Sequence, residues 1–375
     1  MIVEAPKSNI SRIVMHVDFD YFFAQCEEIR LPELRLKPVV VCVFSGRTED
    51  SGVVSTANYV ARKYGVKSGI PIRVAKSKLA NSEAVFLPLD SAYYSQVSES
   101  VISIIASYAD RFEHVGIDEC YLDVSERAGS LDSAKSLAQA IKNDVKSQAQ
   151  LTCSIGVAPN KMLAKIASDL HKPDGLTVIE PGNAAEFIAS MDVGRIPSIG
   201  PKTSERLGEL GVKIIGDLAK FDLFRLIEEF GKKTGTYMHN ASQGVDNEPV
   251  VESGEKQQIM RITTLKKDAT SSAEMLSDLH EICKSVFQTA NDRRMTFKTV
   301  GILLVLDNLD NITRSKSLKV HSSNFESVHY TTKLILDEAM REAGPIKVRR
   351  LGVRLSDLQS SIGQNKILDF MGSGG

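Results

Sequence analysis

The sequence predicts a multidomain chain of mixed α/β and α+β class. Three observations lead there. A length of 375 residues exceeds what one hydrophobic core usually serves. Short apolar runs alternate with amphipathic helical stretches over the first 170 residues. Past Pro181 the texture changes to short helices, and strand-like runs return only near residue 299.

In chain order, residues 13–17 read as a first strand and 22–30 as a helix ended near Pro32. The runs 38–44 and 52–56 read as buried strands, and 57–64 as a short amphipathic helix stopped at Gly65. Val97, Val101, Ile104 and Ile105 give 91–108 one apolar helical face. A hairpin carrying Asp118-Glu119 follows, then helix 131–149, strand 151–157 and helix 160–170. This is an α/β domain with an inserted subdomain. The run Ile196-Pro-Ser-Ile-Gly-Pro-Lys suits a helix-hairpin-helix unit whose turn aims N–H groups at a phosphate. An ordinary helical connection with Gly200 in a tight turn accounts for the same residues. Residues 246–258 are polar, contain a proline and lack apolar periodicity, which reads as a linker. Beyond them, strands 299–306, 315–320 and 348–355 with helices 275–293 and 324–343 form a second small α/β domain.

Charge is nearly balanced overall, at a formal net of −1, but unevenly spread. From Ile259 onward there are seventeen Lys+Arg against thirteen Asp+Glu, a net of +4 that leaves −5 for the rest. A basic C-terminal third is the footprint expected of a polyanion partner. Five cysteines, Cys26, Cys42, Cys120, Cys153 and Cys283, form no C-x-x-C and leave one unpaired. That composition suits a reduced, cytoplasmic setting and implies no structural zinc. No apolar stretch approaches the length of a membrane span, and no apolar signal core opens the sequence.

The chemistry is signalled by acids in apolar surroundings. Asp18 sits in Ile13-Val-Met-His-Val-Asp-Phe-Asp, and Asp118-Glu119 precede the strand-like Tyr121-Leu-Asp-Val. Taken singly, each acid is more often a turn or strand-end residue than a catalytic one. Together, on the rim of a sheet, they are costly to bury without a cation or proton. Three carboxylates suit a hard ion such as Mg²⁺, which shares its remaining positions with water and substrate phosphates.

At this point whole blocks resemble those of the Y-family translesion DNA polymerases, in the archaeal DNA polymerase IV branch. The blocks are Val17-Asp-Phe-Asp-Tyr-Phe-Phe-Ala-Gln-Cys-Glu, Lys37-Pro-Val-Val-Val, Ser55-Thr-Ala-Asn-Tyr-Val-Ala-Arg-Lys-Tyr-Gly, Gly116-Ile-Asp-Glu-Cys-Tyr-Leu-Asp, Ser154-Ile-Gly-Val-Ala-Pro-Asn-Lys and Lys172-Pro-Asp-Gly. They run in order over nearly the whole chain. The resemblance implies a right-hand polymerase with a ferredoxin-like palm (1–21 and 89–179), small fingers (22–88), a helical thumb (180–245), the linker 246–258, a little finger (259–358) and a tail (359–375). It also implies low-fidelity, template-directed synthesis past damaged bases by a monomer acting on primer-template DNA and dNTPs.

The resemblance assigns residues as well. Asp18, Asp118 and Glu119, with the carbonyl of Phe19, match metal-binding positions for two Mg²⁺ ions, Asp18 and Asp118 bridging both. Asp20 and Asp123 fall outside that pattern and read as structural acids. Thr56, Tyr59, Arg62 and Lys172, with the backbone of Tyr21, Phe22 and Phe23, match nucleotide contacts. Without the resemblance, Tyr59 and Arg62 read equally as packing residues. Phe23 matches the steric gate that leaves no room for a ribose 2′-OH, although a Phe there is equally plain core. Gly200, Arg349, Arg350 and Arg354 match DNA contacts, with Arg350 and Arg354 on one strand face and Arg349 on the other. Gln364, Ile367 and Phe370 resemble the anchors of a sliding-clamp-binding peptide, with Met371 where a second aromatic usually stands. Two other readings of the same residues are a nucleotidyl cyclase on a related palm and a catalytically idle DNA-binding scaffold. A cyclase has no use for a helix-hairpin-helix and a basic C-terminal domain, and an idle scaffold has no reason to keep all three acids.

Overall fold

The computed structural model describes residues 12–252 and 258–360. They form two compact units, one drawn from 12–41, 55–68 and 78–252, the other from 42–54, 69–77 and 258–360.

The first unit is organised by a five-stranded sheet in the order Arg111–His114, Glu119–Asp123, Val14–Phe19, Cys153–Ala158 and Leu176–Val178. The first three pairings are antiparallel and the last is parallel. Side chains alternate across a strand, so the sheet has two distinct faces. Ile13, Met15, Val17 and Phe19 join Leu122, Ile155 and Val157 in one core, which takes in Tyr94, Val101 and Ile105 of helix Ser91–Ala106 and Ile141 and Val145 of helix Leu131–Ala149. Each fully buried Ile, Leu or Val there contributes about 1.5–3 kcal/mol. Val14, Tyr121 and Ala158 face the other way, against Met162, Leu163 and Ile166 of helix Lys161–Leu170. The catalytic candidates Asp18 and Glu119 share that second face, because they are cross-strand partners two residues on from His16 and two residues before Tyr121.

Helix Lys161–Leu170 starts where the sequence places it, with Asn160 as N-cap accepting from Leu163 N at 2.9 Å. Its close approach to the sheet depends on Gly156. A Cβ there would lie 2.0 Å from the carbonyl oxygen of Ala164 and 2.5 Å from Ser168 N, so no side chain fits.

Several elements differ from the sequence reading. The first strand extends to Phe19, which puts Asp18 inside it rather than at its end. The helix expected over 57–64 is confined to Tyr59–Arg62, because Asn58 caps it by accepting from Ala61 N. Strands Val85–Pro88 and Leu176–Val178 and helix Ile72–Lys78 are additions too short for periodicity to reveal. The insertion carries a three-stranded sheet, Gly52–Ala57, Val39–Phe44 and Val85–Pro88 in that order. The start of the expected linker is anchored: Asp246 accepts from Met162 N at 3.0 Å, Val250 is buried, and Val251 N donates to Glu113. Short helices Ala184–Ala189, Pro201–Glu209, Ile215–Lys220, Leu223–Phe230 and Lys232–Ser242 fill the interval before it.

In the second unit an antiparallel sheet runs Asn311–Ser322, Met295–Leu306, Val348–Ser360, Gln258–Ala269, covered on one face by helices Leu276–Asp292 and Phe325–Ala343. Strand Gln258–Ala269 was not expected. Its paired lysines and interspersed polar residues, Arg261-Ile-Thr-Thr-Leu-Lys-Lys-Asp, conceal a strand that buries only Ile259, Leu265 and Ala269.

Gly156→Ala is predicted to destabilise the protein by at least about 2 kcal/mol through overpacking against backbone. A urea midpoint equal to that of the parent protein would show that the helix can move away without cost.

Candidate active site

Antiparallel pairing brings the three acids together. Asp18 and Glu119 are cross-strand partners, and Phe19 N donates to the carbonyl of Asp118 at 2.8 Å, so Asp118 sits at the mouth of the same strand pair. Burial holds the Asp18 carboxyl up at about 6, with Lys172 pulling the other way and Asp118 adding to the rise. Asp118 is likewise raised, first by burial and then by the charge of Glu119. Glu119 goes the opposite way, to about 2, because the His16 ring edge beside it and the Lys165 ammonium that donates to it favour its ionised form.

Lysines neutralise two of the three acids. Lys172 Nζ lies 2.7 Å from Asp18 Oδ1 and 2.8 Å from Asp169 Oδ1, while Lys165 Nζ donates to Glu119 Oε2. His16 is fully buried, with Nδ1 2.8 Å from Ser168 Oγ and Nε2 3.3 Å from Glu119 Oε2. The Nε2 contact is at the outer limit of pairing and lacks hydrogen-bond alignment. Burial lowers the His16 pKa, which favours a neutral ring. Lys165, His16 and Asp169 were not singled out in the sequence, although Lys165 and Asp169 lie on the helix that faces the acids. With their carboxylates turned towards lysines, no three His, Cys, Asp or Glu side chains among the described residues converge closely enough to hold an ion. The donor set nonetheless fits divalent metal: three carboxylates in a poorly solvated site, two of them with raised pKa, require positive charge.

Of the nucleotide candidates of this unit, Lys172 pairs with Asp18 and Tyr59 lies within range of the Asp18 and Lys172 charges. Tyr21 is in left-handed conformation (φ 36°) and caps helix Phe22–Arg30 without a side-chain hydrogen bond, leaving the first turn open to an anion. Its ring meets Tyr59 edge-on at 5.2 Å, and its hydroxyl donates to Glu28 at 3.1 Å. Arg62 lies over the Tyr59 ring at 4.8 Å and donates from Nε to the Ala57 carbonyl at 2.8 Å. Thr56 is half-buried near the end of strand Gly52–Ala57. Phe23 is half-buried and stacked on Tyr94, with centroids 4.7 Å apart and planes at 15°. Tyr94 in turn donates to Glu27 Oε1 at 2.7 Å, so the Phe23 ring rests on a fixed platform that sequence reading missed.

The two acids set aside as structural have full complements of local donors. Asp20 is buried and accepts from Ser154 Oγ at 2.7 Å, Thr152 Oγ1 at 2.8 Å and Asp174 N at 2.8 Å. Asp123 accepts from Ser125 N and Oγ.

Gly200 precedes Pro201 at the start of helix Pro201–Glu209 with φ −80° and open space where a Cβ would stand. The left-handed residue of that turn is Ser198, at φ 71°, so the tight-turn explanation for Gly200 does not apply. In the second unit Arg350 Nε donates to Thr264 Oγ1 at 3.3 Å, and Arg354 lies across Gly301, both on the sheet face opposite the helices. Arg349, at a bulge, is drawn instead to Asp268 Oδ2 at 3.4 Å, which also binds Arg47. Gln364, Ile367 and Phe370 lie outside the described residues.

Comparison with known proteins places this geometry in context. Residues 17–169 match the impB/mucB/samB family, 194–246 match the DNA polymerase-iota thumb domain, and 256–367 match the impB/mucB/samB family C-terminal domain. The chain is 48% identical over 362 residues to DNA polymerase IV of Nitrosopumilus maritimus, covering 96% of this chain and 99% of the relative. It is 36% identical to DNA polymerase IV of Saccharolobus solfataricus, covering 95% and 99%. Among solved structures, a Y-family polymerase chimera of Dbh and Dpo4 superposes with a TM-score of 0.87 at 34% identity, covering 93% of this chain and 99% of that one. An insertion ternary complex of Dbh DNA polymerase matches at 0.67, also at 34% identity and with the same coverage.

Asp20→Ala strands the Ser154 hydroxyl and the Asp174 N–H and leaves the Thr152 hydroxyl only its longer contact with Gln25 Oε1, and the expected cost is about 2–3 kcal/mol of folding stability. Chemical denaturation reads it directly; a loss under about 0.5 kcal/mol would mean that those donors find other acceptors.

Proposed function

This chain belongs to the Y family of DNA polymerases, in the DNA polymerase IV branch, and is a translesion DNA-directed DNA polymerase; on that premise we propose that Asp18, Asp118 and Glu119 form its catalytic centre. With the Phe19 carbonyl they would hold two divalent cations, Mg²⁺ being the ion that hard oxygen donors favour, and such ions activate a primer 3′-OH and screen the leaving pyrophosphate when bound. The single observation that carries this reading is the cross-strand placement of Asp18 opposite Glu119, with Asp118 tied to the backbone of Phe19.

The chain's own residues supply the remaining positioning. Tyr21, Phe22 and Phe23 would offer first-turn N–H groups to the triphosphate, and Thr56, Tyr59, Arg62 and Lys172 would bind its oxygens. Lys172 pairs with Asp18, and would turn to phosphate where divalent cations supply the positive charge among the acids. Phe23, fixed on Tyr94, would pack beneath the sugar and exclude a 2′-OH. Gly200, with open space above it, would let a phosphate approach the start of helix Pro201–Glu209, while Arg350 and Arg354 would contact backbone phosphates from the open sheet face. Arg349 would join them only by leaving Asp268. Primer-template binding should accordingly weaken with salt as counterions are released. A partner sliding clamp at Gln364, Ile367 and Phe370, a monomeric state and a cytoplasmic setting complete the reading. Five buried free cysteines support the reduced compartment. Among the described residues no helix is long and apolar enough to cross a membrane.

Primer extension with dNTPs and Mg²⁺ on undamaged and abasic templates tests the catalytic assignment. Asp118→Ala is predicted to lower the rate by about 10²–10³-fold, the scale of losing electrostatic stabilisation at a reacting centre; extension at the parental rate after the substitution refutes the assignment. Phe23→Ala is predicted to raise ribonucleotide incorporation relative to deoxynucleotide by about tenfold or more, in line with losing a contact that separates two similar substrates. Unchanged sugar discrimination in single-nucleotide insertion would remove Phe23 from the gate.

A further inference from the structure

One buried charge has no part in the chemistry described so far. Lys142, on helix Leu131–Ala149, is 7% exposed. Its ammonium donates to the carbonyl of Asp174, to the carbonyl of Gly175 at 3.0 Å, and pairs with Asp174 Oδ1 at 2.9 Å. An ammonium has three protons and no acceptor, so these three oxygens use its full capacity. A lysine is rarely buried so deeply unless each proton is used.

The oxygens belong to the loop that carries Lys172. Asp174 adopts a left-handed conformation, φ 55°, and a Cβ on Gly175 would lie 2.3 Å from the carbonyl of His171, so the loop is tightly folded. Its N–H groups are held from the sheet: Asp174 N donates to Asp20 and Gly175 N to Ser154 Oγ at 3.1 Å. Lys142 holds the carbonyls of the same two residues. The loop is therefore fixed by both its donors and its acceptors, and Lys172, two residues earlier, projects from it to within 2.7 Å of Asp18.

We propose that Lys142 is a positioning residue for nucleotide binding, acting through Lys172 by holding the 174–175 carbonyls. The proposal rests on the triphosphate role given above to Lys172. Lys142 touches no reacting atom. Releasing its grip leaves the Asp174 carbonyl and carboxylate without their buried donor and the Gly175 carbonyl held only by Ile155 N at 3.0 Å, and the loop resettles about Asp174 with the Lys172 ammonium displaced from the place where the triphosphate meets it. A displacement of about 1 Å is enough to cost one to two orders of magnitude in a positioned interaction.

The test is a double-mutant cycle on the full chain, using single-nucleotide insertion with Mg²⁺ and saturating primer-template. Lys142→Met, which keeps the aliphatic stem, is expected to raise the KM for dNTP roughly tenfold while kcat changes by less than about twofold, with primer-template Kd unaltered. Combined with Lys172→Met, it should add almost nothing to the KM that Lys172→Met alone produces, because both act through one ammonium. A folded Lys142→Met with parental KM overturns the proposal, as does a full tenfold effect persisting in the Lys172→Met background. Should Lys142→Met fail to fold, Lys142→Leu, which likewise removes the donor and keeps apolar bulk, carries the same cycle and the same criteria. A Lys172→Met enzyme whose dNTP KM equals the parent's would overturn the role of Lys172 itself, and this proposal with it.

Discussion

Two carboxylates, Asp18 and Glu119, sit opposite each other on one sheet face with Asp118 at the mouth of the same strand pair, and the arrangement of the first unit follows from what that requires. Burial first, and then the charge of the neighbouring acids, push Asp18 and Asp118 upward, the direction that signals unmet demand for positive charge. Lys165 and Lys172 meet that demand from one helix and the loop that follows it. The helix can serve only if it lies close to the sheet, and Gly156 makes the approach possible. Breaking such a pairing is more damaging than its net stabilisation suggests, because it leaves a buried charge alone.

Around this centre the supporting contacts divide into two sets. On one side, the open first turn at Tyr21, the Tyr21–Tyr59 edge contact and Arg62 over Tyr59 form a polar, aromatic wall. On the other, Asp20, Ser154 and Lys142 fix the loop bearing Lys172. Phe23 would discriminate sugars only if its ring is immobile, and the Tyr94–Glu27 hydrogen bond beneath it supplies that constraint. In the second unit, Asp268 gathers Arg47 and Arg349, so part of the arginine cluster is already committed to protein contacts.

Much of the fold was legible because its signals are local. Apolar periodicity locates helices 131–149 and 22–30 to the residue, and the paired strands around Asp118 follow from two apolar runs meeting at acids. Strand Gln258–Ala269 was not legible, since Arg261, Lys266 and Lys267 interrupt any alternation and its stability comes from pairing with Val348–Ser360. The site acids were identified by residue type and setting, and the nucleotide residues by resemblance alone. His16, Lys165, Tyr94 and Lys142 were invisible for a common reason. Each acts across 46 to 103 residues of sequence or, like Lys142, on backbone atoms 32 and 33 residues away, and such partners emerge only once strands and helices are packed.

In the proposed centre, Lys172 would hold Asp18 only until divalent cations and a triphosphate arrive. The most direct measurement is a crystal structure of the protein with primer-template, Mg²⁺ and a non-hydrolysable dNTP. The account predicts ions between Asp18, Asp118 and Glu119, with Lys172 withdrawn from Asp18 and bonded to phosphate oxygen. Lys172 still paired with Asp18 beside a bound nucleotide, and no ion among the three carboxylates, would contradict it.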